Sequence, residues 1–94
     1  MSKIILKGFI VVSCEDLQTV EQELPTHTKL TLEEDGCLVF EVTKNKGNPN
    51  RFDVYEEFTD REAFDKHQTR VKNSYWGQVT ANVERHYEIF DLAY

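Results

Sequence analysis

Residues that cross-link or interrupt a chain are scarce in this sequence, whose 94 residues include two cysteines, two prolines and four glycines. Cys14 and Cys37 are too few for a disulfide framework and lack the spacing of metal ligands, so we expect two reduced thiols. Apolar runs are also short, well below the roughly 18 residues that a membrane-spanning helix needs. The first residues lack the long apolar segment of a secretory signal. We therefore expect a cytoplasmic protein with no membrane partner.

Positive charge is the second shortage. Eleven Lys and Arg residues stand against seventeen Asp and Glu residues, which gives a formal net charge of −6. Because nucleic-acid binding depends on a basic surface, this balance argues against a nucleic-acid partner. The sequence also has no glycine-rich phosphate loop, no dinucleotide fingerprint and no strong zinc spacing. Any chemistry should therefore use no metal and no nucleotide, or should rely on a substrate that supplies its own reactivity.

The remaining pattern alternates between strand-like and helix-like segments. Runs of β-branched and aromatic residues with a period of two predict strands over residues 3–12, 37–43, 51–58 and 85–92. Apolar steps of three and four predict a helix over 15–34, a second helix after residue 59 and a further short helix over 73–83. The order β-α-β-β-α-β predicts one α+β domain over residues 1–94, the ferredoxin-like split βαβ arrangement. Its four-stranded antiparallel sheet should carry the helices on one face.

Several residues predict where these elements begin, bend and end. Residues 13–16 and 59–62 have the spacing of capping boxes, which open helices. Pro25 interrupts the first helix, so we expect either a kink or two helical pieces. Gly36 suits the left-handed conformation that ends a helix.

The predicted sheet is too apolar to be covered on one face alone. In its second strand, alternation puts Leu38, Phe40 and Val42 together on one face. Five further apolar residues cannot all face the helices: Ile4, Leu6, Ile10, Val12 and Val39. Because a chain of this length has no second layer to spare, the other face is a candidate surface for a homodimer. The alternative is a twisted sheet whose open face is merely semi-apolar.

The main candidates for chemistry are an acid and an imidazole. Alternation places Glu56 on the same face as Phe52, Val54 and Phe58, which should be buried against the helices. Burial should raise the pKa of Glu56 unless a cation pairs with it. His67 lies on the apolar stripe of the second helix and should reach the same cavity, where the two groups could move protons near neutral pH. The alternatives are an ion-paired acid and a core histidine bonded to a carbonyl group.

Four other residues are weaker candidates. His27, on the inner stripe of the first helix, could line the same cavity, although packing explains it as well. Tyr75 and Trp76 could form an aromatic wall for a planar ligand or could belong to the core. His86 alternates with its neighbours in the last strand and is expected on the dimer side, in a structural role.

Two segments resemble signatures of the antibiotic biosynthesis monooxygenase family. Residues 31–42 read TLEEDGCLVFEV and are similar to the pattern T-x-x-E-x-G-C-L-x-F/Y. Residues 51–67 read RFDVYEEFTDREAFDKH and are similar to the pattern R-F-x-x-Y-E-x-[WYF]-x-D-x-x-A-F-x-x-H. The two segments occur in the order and spacing of that family, and the resemblance extends over nearly the whole chain.

The resemblance implies a dimeric α+β barrel, in which two four-stranded sheets pack face to face, with a cleft between each sheet and its helices. It implies a reaction of O₂ with quinols or polyketide-like phenols, with no bound cofactor and no metal. Glu56 and His67 match the polar positions of that cleft. After His67 many members continue with Ser or Thr, Pro and a second His, whereas this chain has Gln68, Thr69 and Arg70. Arg70 could take the place of that second His and bind an anionic group, or could be a solvated surface residue.

Three functions are compatible with these residues. The first is a cofactor-independent monooxygenase of quinol-like aromatics, in which Glu56 or His67 deprotonates a phenol. The second is an isomerase of a small, phosphorylated or unphosphorylated carbonyl compound, in which the same groups shuttle protons. The third is a module that binds a small ligand without converting it.

Overall fold

A computed structural model describes residues 2–93, which form a four-stranded antiparallel sheet with three helices. The elements in chain order are β1 (Ser2–Val11), α1 (Cys14–Leu32), β2 (Cys37–Lys44), β3 (Arg51–Phe58), α2 (Arg61–Lys72), α3 (Tyr75–Val79) and β4 (Glu84–Ala93). The strand order is β2-β3-β1-β4, so the first strand is central and the last strand lies at an edge. The predicted ferredoxin-like α+β fold is confirmed, although the short third helix has only five residues rather than the whole of 73–83.

The helices cover one face of the sheet, because alternate residues of its two central strands are apolar. In β1, Ile4, Leu6 and Ile10 are buried on this face, and Val12 beyond the strand end is buried with them. Val39 lies on the other face, paired with Glu57 of β3. Of the five apolar residues in that set, four face the helices and only Val39 faces the other side. The open face is less apolar than expected as a result.

Helix α1 begins where the sequence predicts, because the Ser13 side chain accepts a hydrogen bond from the Asp16 amide. Pro25 lies inside one continuous helix, so the expectation of two helical pieces is wrong. Both Pro25 and Glu21, whose carbonyl loses its helical donor, lie toward solvent, and water can satisfy that carbonyl. The buried stripe of α1 consists of Val20, His27 and Thr31.

Two local predictions are wrong. The cap of α2 is Asp60, which accepts from the Ala63 amide at 2.8 Å, rather than Thr59, whose amide donates to the Gly36 carbonyl and so continues the sheet by one residue. In β2, the pairing register shifts between Cys37 and Val39. Leu38 is the extra residue of this bulge and is 51% exposed, so it does not share the buried face of Phe40.

Glycine is required at two positions of the sheet. Gly36 has φ of +86°, the predicted left-handed conformation, in the turn that leads into β2. Gly8 of β1 pairs with Tyr87 of β4 at a point where the two backbones come close together. A Cβ atom at Gly8 would lie 1.8 Å from the carbonyl oxygen of His86, so no side chain fits there.

The core between sheet and helices has two apolar clusters. One includes Ile4, Leu6, Phe58 and Phe64, and the other includes Ile10, Val20 and Phe52. Residues of both clusters border an internal cavity. None of the helices within residues 2–93 is long and apolar enough to cross a membrane.

Candidate active site

Glu56 projects from β3 into the space between the sheet and the helices. It follows Phe52 and Val54 on the helix-facing side of the strand, and Phe58 comes next on that side. Glu56 is 6% exposed, and its Oε1 atom has no hydrogen-bond partner among the described residues. A buried carboxyl oxygen without a partner is costly, because it has lost its hydration and gained no hydrogen bond in return. Such an atom is available to a ligand.

His67 lies in the middle of α2 and reaches Glu56 from above the sheet. Its side chain is 4% exposed, and its Nε2 atom lies 3.7 Å from Oε1 of Glu56. The helical spacing that buries Phe64 also turns His67 inward, one turn further along the same face. The structure thus brings together the acid and the imidazole that the sequence places on facing apolar surfaces.

Glu34 is a third member of this group, and sequence reasoning assigned it no role. Its two carboxylate oxygens lie 3.0 and 3.1 Å from Nδ1 of His67. Because a carboxylate only accepts, this contact fixes the tautomer in which Nδ1–H donates to Glu34. The lone pair of Nε2 then points toward Glu56. The first signature segment contains Glu34, three residues after Thr31, and this was the signal available in the sequence.

Arg70 contacts the same carboxylate. It donates to Glu34 through Nε, and its Nη2 atom donates to the Thr31 hydroxyl at 2.9 Å. Arg70 does not border the cavity that contains Glu56. The candidate anion-binding residue is therefore already paired with an anion of this chain.

The electrostatics of the group follow from burial. Burial raises the pKa of Glu56 to about 7, and the negative charge of Glu34 adds to this increase. Burial lowers the pKa of His67, although the hydrogen bond and charge of Glu34 oppose the change. The pKa of His27 is lowered to about 3, first by burial and then by the charges of His67 and Arg70. Near neutral pH, Glu56 thus exists in both protonation states, while both histidines are mainly uncharged.

The cavity beside Glu56, here called the inner cavity, has a volume of about 70 Å³. Apolar side chains form most of its wall, and Glu56, His67 and His27 provide polar atoms. Nδ1 of His27 is buried and, like Oε1 of Glu56, has no hydrogen-bond partner in residues 2–93. Four further residues with polar groups also line it: Gln68, Thr80, Arg85 and Tyr87, the last two on the edge strand β4. Two unpartnered polar atoms beside apolar side chains make this cavity a candidate binding site.

The weaker aromatic and histidine candidates separate into two groups. His27 and Trp76 stack with ring centroids 4.5 Å apart and planes inclined by 4°, and both border the inner cavity. Tyr75 is 56% exposed and lies outside this cavity. His86 stacks on Phe9 on the open face of the sheet, the side on which it was expected. The predicted aromatic wall therefore consists of Trp76 without Tyr75.

The arrangement can move a proton within a cavity that has both apolar and polar side chains in its wall. His67 offers a lone pair at Nε2, and Glu56 offers or accepts a proton near neutral pH. Within residues 2–93, no group of three or more His, Cys, Asp or Glu side chains is placed to hold a metal ion. Neither cysteine contributes, since Cys14 is exposed and burial raises the pKa of Cys37.

Comparison with known proteins relates this site to one family. The family model described as antibiotic biosynthesis monooxygenase matches residues 4–72. The comparison with curated proteins gives no match.

Several solved structures share the fold. A protein of unknown function from Bacteroides thetaiotaomicron VPI-5482, described as a possible oxidoreductase, has a TM-score of 0.81 at 20% identity, with 97% of this chain and 98% of that chain covered. A provisionally assigned antibiotic biosynthesis monooxygenase from Deinococcus radiodurans has a TM-score of 0.74 at 24% identity, with 97% and 91% covered. A similarly assigned protein from Nitrosomonas europaea has a TM-score of 0.72 at 15% identity, with 96% and 86% covered.

Proposed function

Because the chain belongs to the antibiotic biosynthesis monooxygenase family, we propose that it is a cofactor-independent monooxygenase of quinol-like or polyketide-like aromatic substrates. Family membership supports a monooxygenase-like role in general. The observation that carries the finer proposal is the approach of His67 Nε2 to Glu56 Oε1, at 3.7 Å, in the wall of an apolar cavity. These are the groups needed to deprotonate a phenol, which is the step that makes an aromatic ring reactive toward O₂.

The first step is removal of the phenolic proton. His67 accepts it at Nε2, or Glu56 accepts it in its ionised form, and the contact with Glu34 keeps the imidazole in the accepting tautomer. The apolar part of the wall should favour this chemistry, because apolar side chains beside the ring limit the water that would solvate and quench the phenolate. The phenolate then passes an electron to O₂.

The complete reaction needs no external reductant. A hydroquinone and O₂ give a hydroxyquinone and water: one oxygen atom enters the ring, the other leaves as water, and the substrate supplies all of the electrons. Trp76 and His27 present flat surfaces beside the reacting groups, and Nδ1 of His27 is free to bond a substrate oxygen.

The inner cavity must widen to hold an aromatic ring. Its volume is about 70 Å³, whereas a cavity that binds benzene measures roughly 150 Å³. Arg85 and Tyr87 lie on the edge strand, and their side chains can rotate outward without breaking the sheet core. Substrate access should therefore occur between β4 and α3.

Oxygen uptake with a panel of hydroquinones tests the proposal. We expect Glu56→Gln and His67→Ala to lower kcat/KM by about 10²-fold or more, the usual contribution of general acid–base catalysis. Glu57→Gln is the matched control, because Glu57 is the next residue of β3 and faces the opposite side of the sheet. Unchanged oxygen uptake in both site variants would remove Glu56 and His67 from the mechanism.

The small cavity volume favours a second candidate, an isomerase of a small, phosphorylated or unphosphorylated carbonyl compound. One group would remove a proton beside the carbonyl, and the other would return it to a neighbouring carbon. Deuterium from solvent should then enter the product without any consumption of O₂. A bound ligand recovered unchanged would instead indicate a module without turnover.

We also propose that the protein acts as a homodimer through the open face of its sheet, in the cytoplasm. The open face carries Phe90 and Leu92 of β4, which are 36% and 45% exposed, next to Ile5 of β1. Exposed apolar residues on one face of a sheet are a common basis for self-association. The free thiols of Cys14 and Cys37 suit a reducing compartment.

A further inference from the structure

We propose that His67 and Glu34 form a proton path that connects Glu56 in the inner cavity with solvent at a second cavity on the surface. This second cavity, here called the outer cavity, is bordered by residues that include Glu34, Gly36, Asp60, Glu62, Lys66 and Arg70. The proposal deepens the proposed function and rests on it only for the origin of the proton. A reaction that deprotonates its substrate beneath a bound ring must hold that proton until the departing water takes it up, and a path through His67 and Glu34 lets it exchange with solvent away from the mouth that the ring occupies.

The inner end of the path is the carboxyl group of Glu56. Its Oε1 atom is buried, has no hydrogen-bond partner in residues 2–93, and faces Nε2 of His67 at 3.7 Å. A modest approach of the two side chains would complete a hydrogen bond, as catalytic contacts often tighten when a ligand binds.

His67 is the middle of the path, because its two ring nitrogens contact different carboxyl groups. Nε2 lies toward Glu56, and Nδ1 lies 3.0 Å from Oε1 of Glu34. The ring itself is almost completely buried, with 4% of its side chain exposed. An imidazole in this position can accept a proton on one nitrogen while it releases a proton from the other.

Glu34 is the outer end of the path. Its side chain is 17% exposed and borders the outer cavity, whose volume is about 480 Å³. The inner and outer cavities have no lining residue in common. The contact between His67 and Glu34 therefore bridges two separate spaces, a smaller one beside Glu56 and a larger one at the surface.

Burial of His67, and to a smaller extent the charge of Arg70, favour transfer of the proton over its storage on the imidazole ring. Burial lowers the pKa of His67, so the imidazolium is a short-lived state rather than a resting one. Arg70 holds Glu34 in place, and Lys66 and Glu62 of α2 border the same outer cavity. His27, Arg85 and Tyr87 are the other titratable groups around the inner cavity.

The transfer balances without any added reactant. Protonated Glu56 gives its proton to Nε2 of His67, and Nδ1 of His67 gives its proton to the carboxylate of Glu34. The products are ionised Glu56, the opposite imidazole tautomer and protonated Glu34, which loses its proton to water. The imidazole regains its first tautomer when Nε2 gives its proton to the reduced oxygen that leaves as water and Nδ1 takes a proton from solvent through Glu34.

A pH jump across 7 tests the path in the ligand-free protein. Infrared absorption of the protonated Glu56 carboxyl group reports its loss of a proton, and the band is assigned by its absence in Glu56→Gln. We expect Glu34→Gln to slow this loss by about tenfold or more, because an amide accepts the bond from Nδ1–H but cannot carry a proton. Glu62→Gln is the matched control, since Glu62 borders the outer cavity with its side chain 77% exposed, and it should leave the rate unchanged.

The sign of the change separates the path from a purely structural contact. If Glu34 only holds the ring, loss of its charge should loosen His67 and leave proton loss unchanged or faster, and either result would overturn the proposal. The absence of a carboxyl band that titrates near 7 would overturn it as well. Glu34→Asp provides a second variant, whose carboxylate is one methylene group further from His67. It should slow the proton loss several-fold, and a rate equal to that of the wild type would count against the path. Because this experiment uses no substrate, a negative result would overturn the proton path without deciding whether the protein is a monooxygenase, which the oxygen-uptake test decides separately.

Discussion

Glu56 and Glu57 are neighbours in β3, and they differ because they face opposite sides of one sheet. Glu56 lies under the helices without a hydrogen-bond partner for Oε1, and burial raises its pKa to about 7. Glu57 lies on the open face, where it pairs with Lys3 and accepts from the Tyr55 hydroxyl. These two hydrogen bonds, that of Lys3 first, lower the pKa of Glu57. Identical side chains one position apart have thus acquired opposite shifts.

The comparison separates groups that are free to react from groups that are held in hydrogen bonds and ion pairs. On the open face, charges occur in partnered sets, and Arg51, Asp53 and Asn45 form another. On the helix-facing side, the inner cavity holds polar atoms without partners. Unpartnered groups reduce stability and are retained where they bind or react.

The largest expected effect that tests this comparison is on stability as a function of pH. The ordinary pKa of a glutamic acid side chain is 4.5, and the pKa of Glu56 in the folded protein is about 7. Between these values the unfolded chain has lost the proton that the native protein keeps, so the free energy of unfolding falls as pH rises. Glu56→Gln removes this loss, and we expect it to be more stable than the wild type by about 3 kcal/mol at pH 8 and nearly equal at pH 4.

Chemical denaturation at both pH values measures the difference, and Glu57→Gln is its control. The pKa of Glu57 is lowered, so this residue stabilises the fold above its usual pKa and loses that contribution as pH falls. Glu57→Gln should therefore be less stable than the wild type at pH 8, by under about 1 kcal/mol, as for other exposed pairs. Shifts of the same sign in both variants would refute the contrast between the two faces.

The next effect concerns self-association, and the adjacent residues Ile89 and Phe90 sharpen the same contrast. Ile89 pairs with Leu6 on the helix-facing side, whereas Phe90 pairs with Ile5 on the open face. Both are exposed, at 49% and 36%. We expect Phe90→Glu to weaken dimer formation by about tenfold or more, because it places a charge in the proposed interface, and Ile89→Glu to leave it intact. Sedimentation over a range of concentrations measures this; equal effects would place the interface elsewhere.

The smallest effect on stability compares two stacked histidines. His27 stacks on Trp76 beside the inner cavity, and His86 stacks on Phe9 on the open face. His27→Leu loses a stacking contact but also removes the unpartnered Nδ1, so its free energy of unfolding should change by less than about 1 kcal/mol. His86→Leu should be equally mild.

Ligand binding distinguishes these two variants. His27→Leu should raise KM for the best hydroquinone several-fold, whereas His86→Leu should not change it, because His86 lies on the opposite face of the sheet. If both variants bind substrate as the wild type does, Nδ1 of His27 has no part in recognition.

The strand and helix patterns predicted the elements that position the site. Alternation in β3 and helical spacing in α2 require only local geometry, so Glu56 and His67 could be assigned to facing surfaces. Glu34 could not be found in this way. It lies 33 positions before His67 in the sequence, and their contact depends on how the end of α1 packs beside α2. The stack of His27 on Trp76 is another long-range contact of this kind.

Irregular backbone accounts for the remaining differences. The bulge at Leu38 adds a residue to β2, and no periodic pattern indicates where such an insertion falls. Thr59 and Asp60 are both good caps. Thr59 continues the sheet, since its amide donates to the Gly36 carbonyl, and Asp60 caps the helix. Pro25 was expected either to kink α1 or to divide it into two pieces, and the helix continues through it on its solvent-exposed side.

Because Gly8 has no side chain, a contact between the backbones of β1 and β4 sets the width of the opening to the inner cavity. Because Gly8 lets the backbone of β4 lie close against β1, it also sets the backbone position from which Arg85 and Tyr87 reach the inner cavity. Any larger residue would push that strand outward and leave the aperture wider, without touching the reacting groups. The width of the opening to the inner cavity therefore depends on the spacing of two strands, at a residue that has no side chain of its own.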